Sequence, residues 1–208
     1  AGKLIARGLT ADLVTDLSKV SGLWVVSGGG PESETPPDSE KAAAAASGRY
    51  ALAGTLQLDG KTVRLQVRLS DFNSGRQLWS HRLEHEMRDL FAAQDELVRG
   101  ILDQLPIKVS QAEAASLAQR FTRNLAAYEQ FLRGQAALQA RGRAQNERAR
   151  EFYWKAIELD PAFSRAYAGL AMTYALAYQL GWEKDTALSR AVEFAGLAPF
   201  IDTPIKRY

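Results

Sequence analysis

The run from Ala149 to Tyr174, AREFYWKAIELDPAFSRAYAGLAMTY, limits the possible folds more than any other part of the chain. Ala149, Tyr153 and Ala156 recur at intervals of four and three, so they share one face of a helix. Asp160-Pro161 ends that helix, because a proline ring disfavours the helical conformation of the residue before it. A second periodic run puts Tyr167, Leu170, Ala171 and Tyr174 on one face. Small residues let two helices approach closely, and the aromatics fill the space between them. The stretch reads as two packed helices joined by a short turn.

The chain has 208 residues, room for one large or two small domains, and its 46% hydrophobic content supplies packed cores. It carries 26 basic and 24 acidic side chains. Residues 1–108 hold 13 and 14 of these and residues 109–208 hold 13 and 10, so neither half has the positive field of a nucleic-acid binder. Cysteine is absent, which excludes disulfides, thiolate chemistry and cysteine–zinc sites. No apolar run approaches the ~20 residues of a membrane span, and no signal peptide is visible. The chain opens on Ala1 rather than Met, as a trimmed piece of something longer would. The expected compartment is the cytoplasm, with the periplasm as the alternative if the chain belongs to a membrane-anchored sensor.

In residues 3–20, Ile5, Leu9, Leu13, Leu17 and Val20 have helical spacing. Thr10 could cap a fresh start within that helix, and Ser21-Gly22 ends it. Leu23-Trp24-Val25-Val26 is apolar and rich in strand formers, which predicts a short buried strand. Residues 27–40, SGGGPESETPPDSE, have the composition of a mobile loop. Its three glycines lack the lysine-serine or lysine-threonine pair of a phosphate cradle. Residues 40–47 read as an alanine-rich helix closed by Gly48.

Residues 49–58 and 62–69 alternate, with Tyr50, Leu52, Leu56, Leu58, Val63, Leu65, Val67 and Leu69 facing a core. Asp59-Gly60 signals a hairpin between them, NSGR at 73–76 a second turn, and 77–85 a third strand. Such a meander has one dry face, which helices at 3–20 and 90–105 can cover. Leu90, Leu97, Ile101 and Leu105 form the stripe of the second of these, and Pro106 interrupts it. Residues 109–119 read as a further helix, with Ser110 and Glu113 spaced as a capping box.

Residues 125–138 read as the first helix of a first pair, with Tyr128 equivalent to Tyr167 and Phe131 to Leu170. The distance from Tyr128 to Pro161 exceeds a 34-residue period, which predicts a long loop at 139–147. Residues 164–180 and 186–198 form the second pair, with Ala187, Ala191 and Ala195 as its small-residue face. Leu197-Ala198-Pro199 stands where Leu159-Asp160-Pro161 stood, and Phe194 takes a position where the pattern wants a small residue. This pattern resembles tetratricopeptide repeats. The blocks GLTADLVTDLSKVSGLWVV, RYALAGTLQLDGKTVRLQVRLSDFNSGRQLW and DLFAAQDELVRGIL, ahead of such repeats, resemble the TolB-amino-terminal-like domain. That pairing is similar to the regulatory tail of bacterial class III adenylate/guanylate cyclases, and to the sensory half of some winged-helix transcriptional activators. Family members carry a Leu-Pro-Phe strand before the first helix, which this chain lacks, and a longer connection where 27–40 stands. The resemblance implies an α/β domain plus repeats and no active site, since a cyclase catalytic domain would lie ahead of this chain.

Enzyme chemistry is not legible in the residues. His81 and His85 are the only histidines. On a strand they lie about 13 Å apart, too far to share one ion. No Gly-x-Ser-x-Gly elbow occurs, and Asp59 and Asp71 read as turn residues rather than the metal-binding pair of a cyclase. Arg141, Arg143, Arg148 and Arg150 read as a solvated loop and helix end. Trp79, Trp154 and Trp182 read as packing residues.

The reading is an α+β protein: a small sheet domain over 1–108, a helical connector over 109–124 and a helical repeat region over 125–208. Its expected function is non-catalytic regulation through a protein or peptide partner, with no catalytic, cofactor or metal residues and no direct nucleic-acid contact. The first helix of each pair lines the inside of a stacked array. With Tyr167 and Tyr174 in the core, the inward candidates on the second pair are Arg165, Ala168, Met172 and Leu176. A small enzyme holding a nucleotide at Gly28–Gly30 is the rival expectation. Self-association is also expected, through either the sheet edge or the outer side of 186–198.

Overall fold

The computed structural model describes residues 2–25, 49–118 and 121–196. The loop expected at 27–40, the helix expected at 40–47 and the Leu197-Ala198-Pro199 turn lie outside the described residues, as does Val26. The chain divides into two compact units, residues 1–119 and 120–208. A three-stranded antiparallel sheet combined with helices makes the protein α+β.

The first unit begins with α1 (Gly2–Leu17). Ile5, Leu9, Leu17 and Val20 are buried, as their spacing requires. Thr10 does not cap a new start: its hydroxyl donates to the Ala6 carbonyl at 2.9 Å inside one continuous helix. Residues 18–22 turn the chain, with Gly22 at φ +84°, a region open to glycine. Leu23–Val25 form no strand, and Trp24 is 92% exposed. Leu23 and Val25 instead pack on Leu17, Val20, Val98, Ile101 and Leu102. A run of strand formers becomes a strand only where a partner backbone takes its hydrogen bonds, and no described residue does so here.

β1 (Tyr50–Asp59), β2 (Thr62–Asp71) and β3 (Gln77–Glu86) form a meander in the order β1-β2-β3. Gly60 and Lys61 make the first turn, Gly60 at φ +58°, while Asp59 ends β1 opposite Thr62. The second turn is held by Asp71, whose carboxylate accepts from the Ser74 backbone and hydroxyl. These bonds, the backbone one foremost, pull the Asp71 carboxyl below its usual range. Val63, Leu65, Val67 and Leu69 of β2 are all buried. In register they sit beside Leu58, Leu56, Gly54 and Leu52 on one side and His85, Leu83, His81 and Trp79 on the other, which defines the dry face. On the wet face Arg64 donates to Glu84, its cross-strand neighbour, at 3.0 Å.

After a 3₁₀ turn at Met87–Asp89 comes α2 (Leu90–Leu102), which packs on β3, while α1 packs on β1 and on α2. Leu90, Leu97 and Ile101 are almost fully buried. Gln94, also buried, donates to Asp16 of α1 at 3.2 Å. Gly100 faces the Trp79 ring so closely that a Cβ there would lie 2.7 Å from it. α3 (Gln111–Ala118) starts at the expected capping box: Ser110 and Glu113 exchange side-chain to backbone bonds in both directions. Glu113 also accepts from the Ser21 backbone at 2.6 Å, tying α3 to the end of α1.

The second unit holds α4 (Leu125–Gln139), α5 (Arg143–Leu159), α6 (Ser164–Gln179) and α7 (Asp185–Phe194). Asn124 caps α4 by accepting from Ala127 N–H, and its amide donates to the Leu159 carbonyl. The long loop expected at 139–147 does not exist. Only Ala140–Gly142 separate α4 from α5, turning through Arg141 at φ +53° and Gly142 at φ +107°. The extra residues lengthen the helices, since Arg143, Ala144, Gln145 and Glu147 continue α5 with a favourable Arg143–Glu147 pair at 3.1 Å. Ala149, Tyr153 and Ala156 are buried, and α5 ends at Leu159 before the extended Asp160. Asp160 accepts from Thr122 and from Ala162 N–H, which locks the turn into α6. Ala187 and Ala191 are buried in the second pair, whereas Ala195 is exposed beyond the end of α7. Among the described residues, no helix is long and apolar enough to cross a membrane.

Candidate functional site

The second unit carries a concave pocket of about 400 Å³ between α4 and α6. Its floor is the Tyr153 ring of α5. That ring reaches the pocket because both covering helices have glycine at the contact: a Cβ on Gly134 would lie 2.7 Å from it, and one on Gly169 2.6 Å. Phe131 meets Tyr153 at 5.9 Å and Phe163 at 5.1 Å between ring centroids, completing an aromatic base. Burial pushes the Tyr153 phenol up to about 12, so it stays protonated at neutral pH.

Three of the four residues expected to face inward line this pocket. Arg165 stands at its rim, with the guanidinium 4.9 Å from the Phe131 centroid and 5.0 Å from that of Phe121. Ala168 is exposed, and Met172 is 52% exposed. Leu176 continues the same stripe one turn on, but it is half-buried and does not line the pocket. The opposite wall, Phe131, Gln135 and Leu138 with Gln139, was not among the expected residues. Its intervals of four and three are visible in the sequence, but equivalence with Leu170 places Phe131 in the core, and glutamines carry no apolar signal.

The lining is apolar, with one cation and two amides. It contains no carboxylate, histidine, serine, threonine or lysine, and its one hydroxyl is the Tyr153 phenol that burial keeps protonated, so the pocket can hold a ligand but offers no base–nucleophile pair. Two other groups of polar residues differ from their sequence reading. His81 and His85 both reach Glu96 of α2, at 3.0 and 3.6 Å, so a carboxylate stands between imidazoles that strand spacing alone had kept apart. Arg150 is not solvated: its side chain is 14% exposed, pairs with Glu183, donates to Thr173 at 3.1 Å and lies 3.9 Å over the Tyr174 ring. Among the described residues, no group of three or more metal-ligating side chains is placed to hold an ion.

No family model matches the chain. The chain is similar, at 31% identity over 170 residues, to the Rhizobium meliloti (strain 1021) protein named "Putative adenylate cyclase 3". The match takes in 80% of this chain but only 29% of that protein, so the chain corresponds to less than a third of the relative's length. The sequence is thus related to part of a protein that bears the name of an adenylate cyclase.

Proposed function

We propose that this chain is a non-catalytic regulatory and protein-binding module of a bacterial signalling protein, an adenylate/guanylate cyclase. In this reading a TolB-amino-terminal-like domain is followed by tetratricopeptide repeats. The observation that carries it is the pocket between α4 and α6, where Arg165, Ala168 and Met172 face an apolar hollow floored by Tyr153. The hollow is of a size to take one or two side chains of an extended peptide. The exposed Met172 can adapt its shape to them. The similarity to part of a protein named for cyclase activity supports the parentage, because a regulatory segment matches only a fraction of such a protein.

The test has two arms. The purified chain forms no cyclic nucleotide from ATP or GTP with magnesium or manganese. Peptides selected from a displayed random library on the chain bind at least tenfold more weakly to Ala168→Arg and Met172→Glu, both exposed positions whose substitution leaves the helical circular dichroism unchanged. Nucleotide cyclisation, or peptide binding indifferent to both substitutions, would sink the reading.

A further inference from the structure

We propose that the peptide taken by the pocket inserts a glutamate, with its methylenes against the apolar walls and its carboxylate on the Tyr153 hydroxyl and the Arg165 guanidinium. The inference rests on the peptide-binding reading above and adds the residue that the pocket selects. Every lining residue lies between 131 and 172, within the second unit.

Tyr153 carries the argument. The residue is 1% exposed, yet among the described residues none bonds to its hydroxyl. Nor is that hydroxyl sealed in: among the described residues, the fully enclosed side-chain atom without a partner is Asn146 Nδ2. A Cβ on Gly134 or Gly169 would meet the Tyr153 ring at Cδ1, Cε1 and Cζ. The ring therefore lies lengthwise between the two glycines, and the hydroxyl, one bond beyond Cζ, is the polar atom of the pocket floor. Burial keeps it protonated, so at neutral pH it is a donor.

Solvent can meet that donor while the pocket is open. A partner that fills the pocket must bring an acceptor of its own or leave the donor buried and unpaired. A leucine or phenylalanine side chain has no acceptor to bring. The rest of the lining narrows the acceptor to an anion. Arg165 is its one charged residue, and no carboxylate competes for it within the pocket. The rings of Phe131 and Phe121, at 4.9 and 5.0 Å, hold the guanidinium at the rim before any ligand arrives. A carboxylate leaving water needs a cation and a donor for each oxygen. Arg165 and Tyr153 supply these, and the Gln135 amide offers a further donor. Phe131, Leu138 and Met172 make up the apolar surface of the hollow. That surface suits the two methylenes of glutamate better than the single one of aspartate.

Peptides selected from a displayed random library on the full 208-residue chain are expected to share a glutamate at one position. The tightest of them, made synthetically, is the probe. On the wild-type chain, leucine in place of that glutamate weakens binding by roughly tenfold, a comparison that needs no variant of the protein. Tyr153→Phe keeps the ring and removes the hydroxyl. It weakens the glutamate peptide by roughly tenfold and leaves the leucine peptide unchanged. Arg165→Gln has the same selective effect and flattens the salt dependence of binding. A merely structural hydroxyl would weaken both peptides alike. Selected peptides with no shared glutamate, or equal effects of Tyr153→Phe on the two peptides, overturn the proposal. If such peptides still respond to Ala168→Arg and Met172→Glu, the pocket reading stands without it. Peptides indifferent to those two substitutions end both.

Discussion

Both units lodge an aromatic ring against glycine, and they differ in what the ring can do under pressure. In the first unit Trp79 lies on Gly100 from one side, half-buried at the sheet surface. In the second, Tyr153 is clamped between Gly134 and Gly169, from two helices, and is 1% exposed. A ring held on one side can yield outward, whereas a ring held on both sides transmits any added atom into both helices. The second unit therefore has one side chain, at the base of its pocket, on which two helices close directly, while Trp79 of the first unit meets glycine on one helix alone.

The sharpest way to break this comparison is Tyr153→Ala. Removing a fully buried aromatic costs about 3–5 kcal/mol. Amide exchange followed by mass spectrometry should show that loss in residues 121–196 and little change in the sheet. Equal losses in both units would show that Tyr153 is not a local keystone. The next effect is alkaline. An ordinary tyrosine ionises near 10, and burial raises Tyr153 to about 12. The folded form thus prefers the neutral phenol, so the stability tied to it is whole below about pH 10 and is lost as pH rises through about 12. The second unit should lose on the order of 2 kcal/mol across that window. Tyr153→Phe should flatten this part of the pH dependence of unfolding.

Smaller again is the paired test of the glycines. Gly169→Ala drives a Cβ to 2.6 Å from Tyr153 and should cost about 1–2 kcal/mol, overpacking exceeding the helix-propensity gain. Gly100→Ala meets the half-buried Trp79, which can shift, and should fall within about 1 kcal/mol of the wild type in urea unfolding. Equal costs would erase the distinction between one-sided and two-sided clamps. The smallest effect concerns the half-buried Glu113. Its carboxyl is held down to about 2 by the Ser110 hydroxyl first, then by the backbone N–H groups of Ser21 and Ser110. Its contribution is present above the ordinary glutamate range and is lost as pH falls through about 2. Protection of the Ser21 and Ser110 amides relative to their intrinsic exchange rate should fall as pH drops through about 2, and Glu113→Gln should remove that pH dependence.

Much of the fold was legible because its signals are local. The Asp160-Pro161 stop, the Ser110–Glu113 box, the alternation of Val63, Leu65, Val67 and Leu69, and the stripe of Leu90, Leu97 and Ile101 all act within a few residues of themselves. One wall of the pocket was legible for the same reason: Arg165, Ala168 and Met172 follow from helical spacing once Tyr174 is in the core. The loop at 139–147 was misjudged because a repeat length says how many residues must be placed, not whether helix or loop takes them.

What the sequence determined by itself was therefore the element ends that carry a local signal, such as the Asp160-Pro161 stop and the Ser110–Glu113 box, and which face of most elements is apolar, because capping, proline and side-chain period depend on neighbours in the chain. Tertiary structure alone decided that Leu23–Val25 finds no partner strand among the described residues, that Arg150 is held half-buried against Glu183 and Thr173, and that His81 and His85 meet at Glu96. It also decided that Phe131, Gln135 and Leu138 complete the pocket over Tyr153. Each of these outcomes turns on a partner from another element, whose position no short-range pattern encodes and only the packed chain supplies.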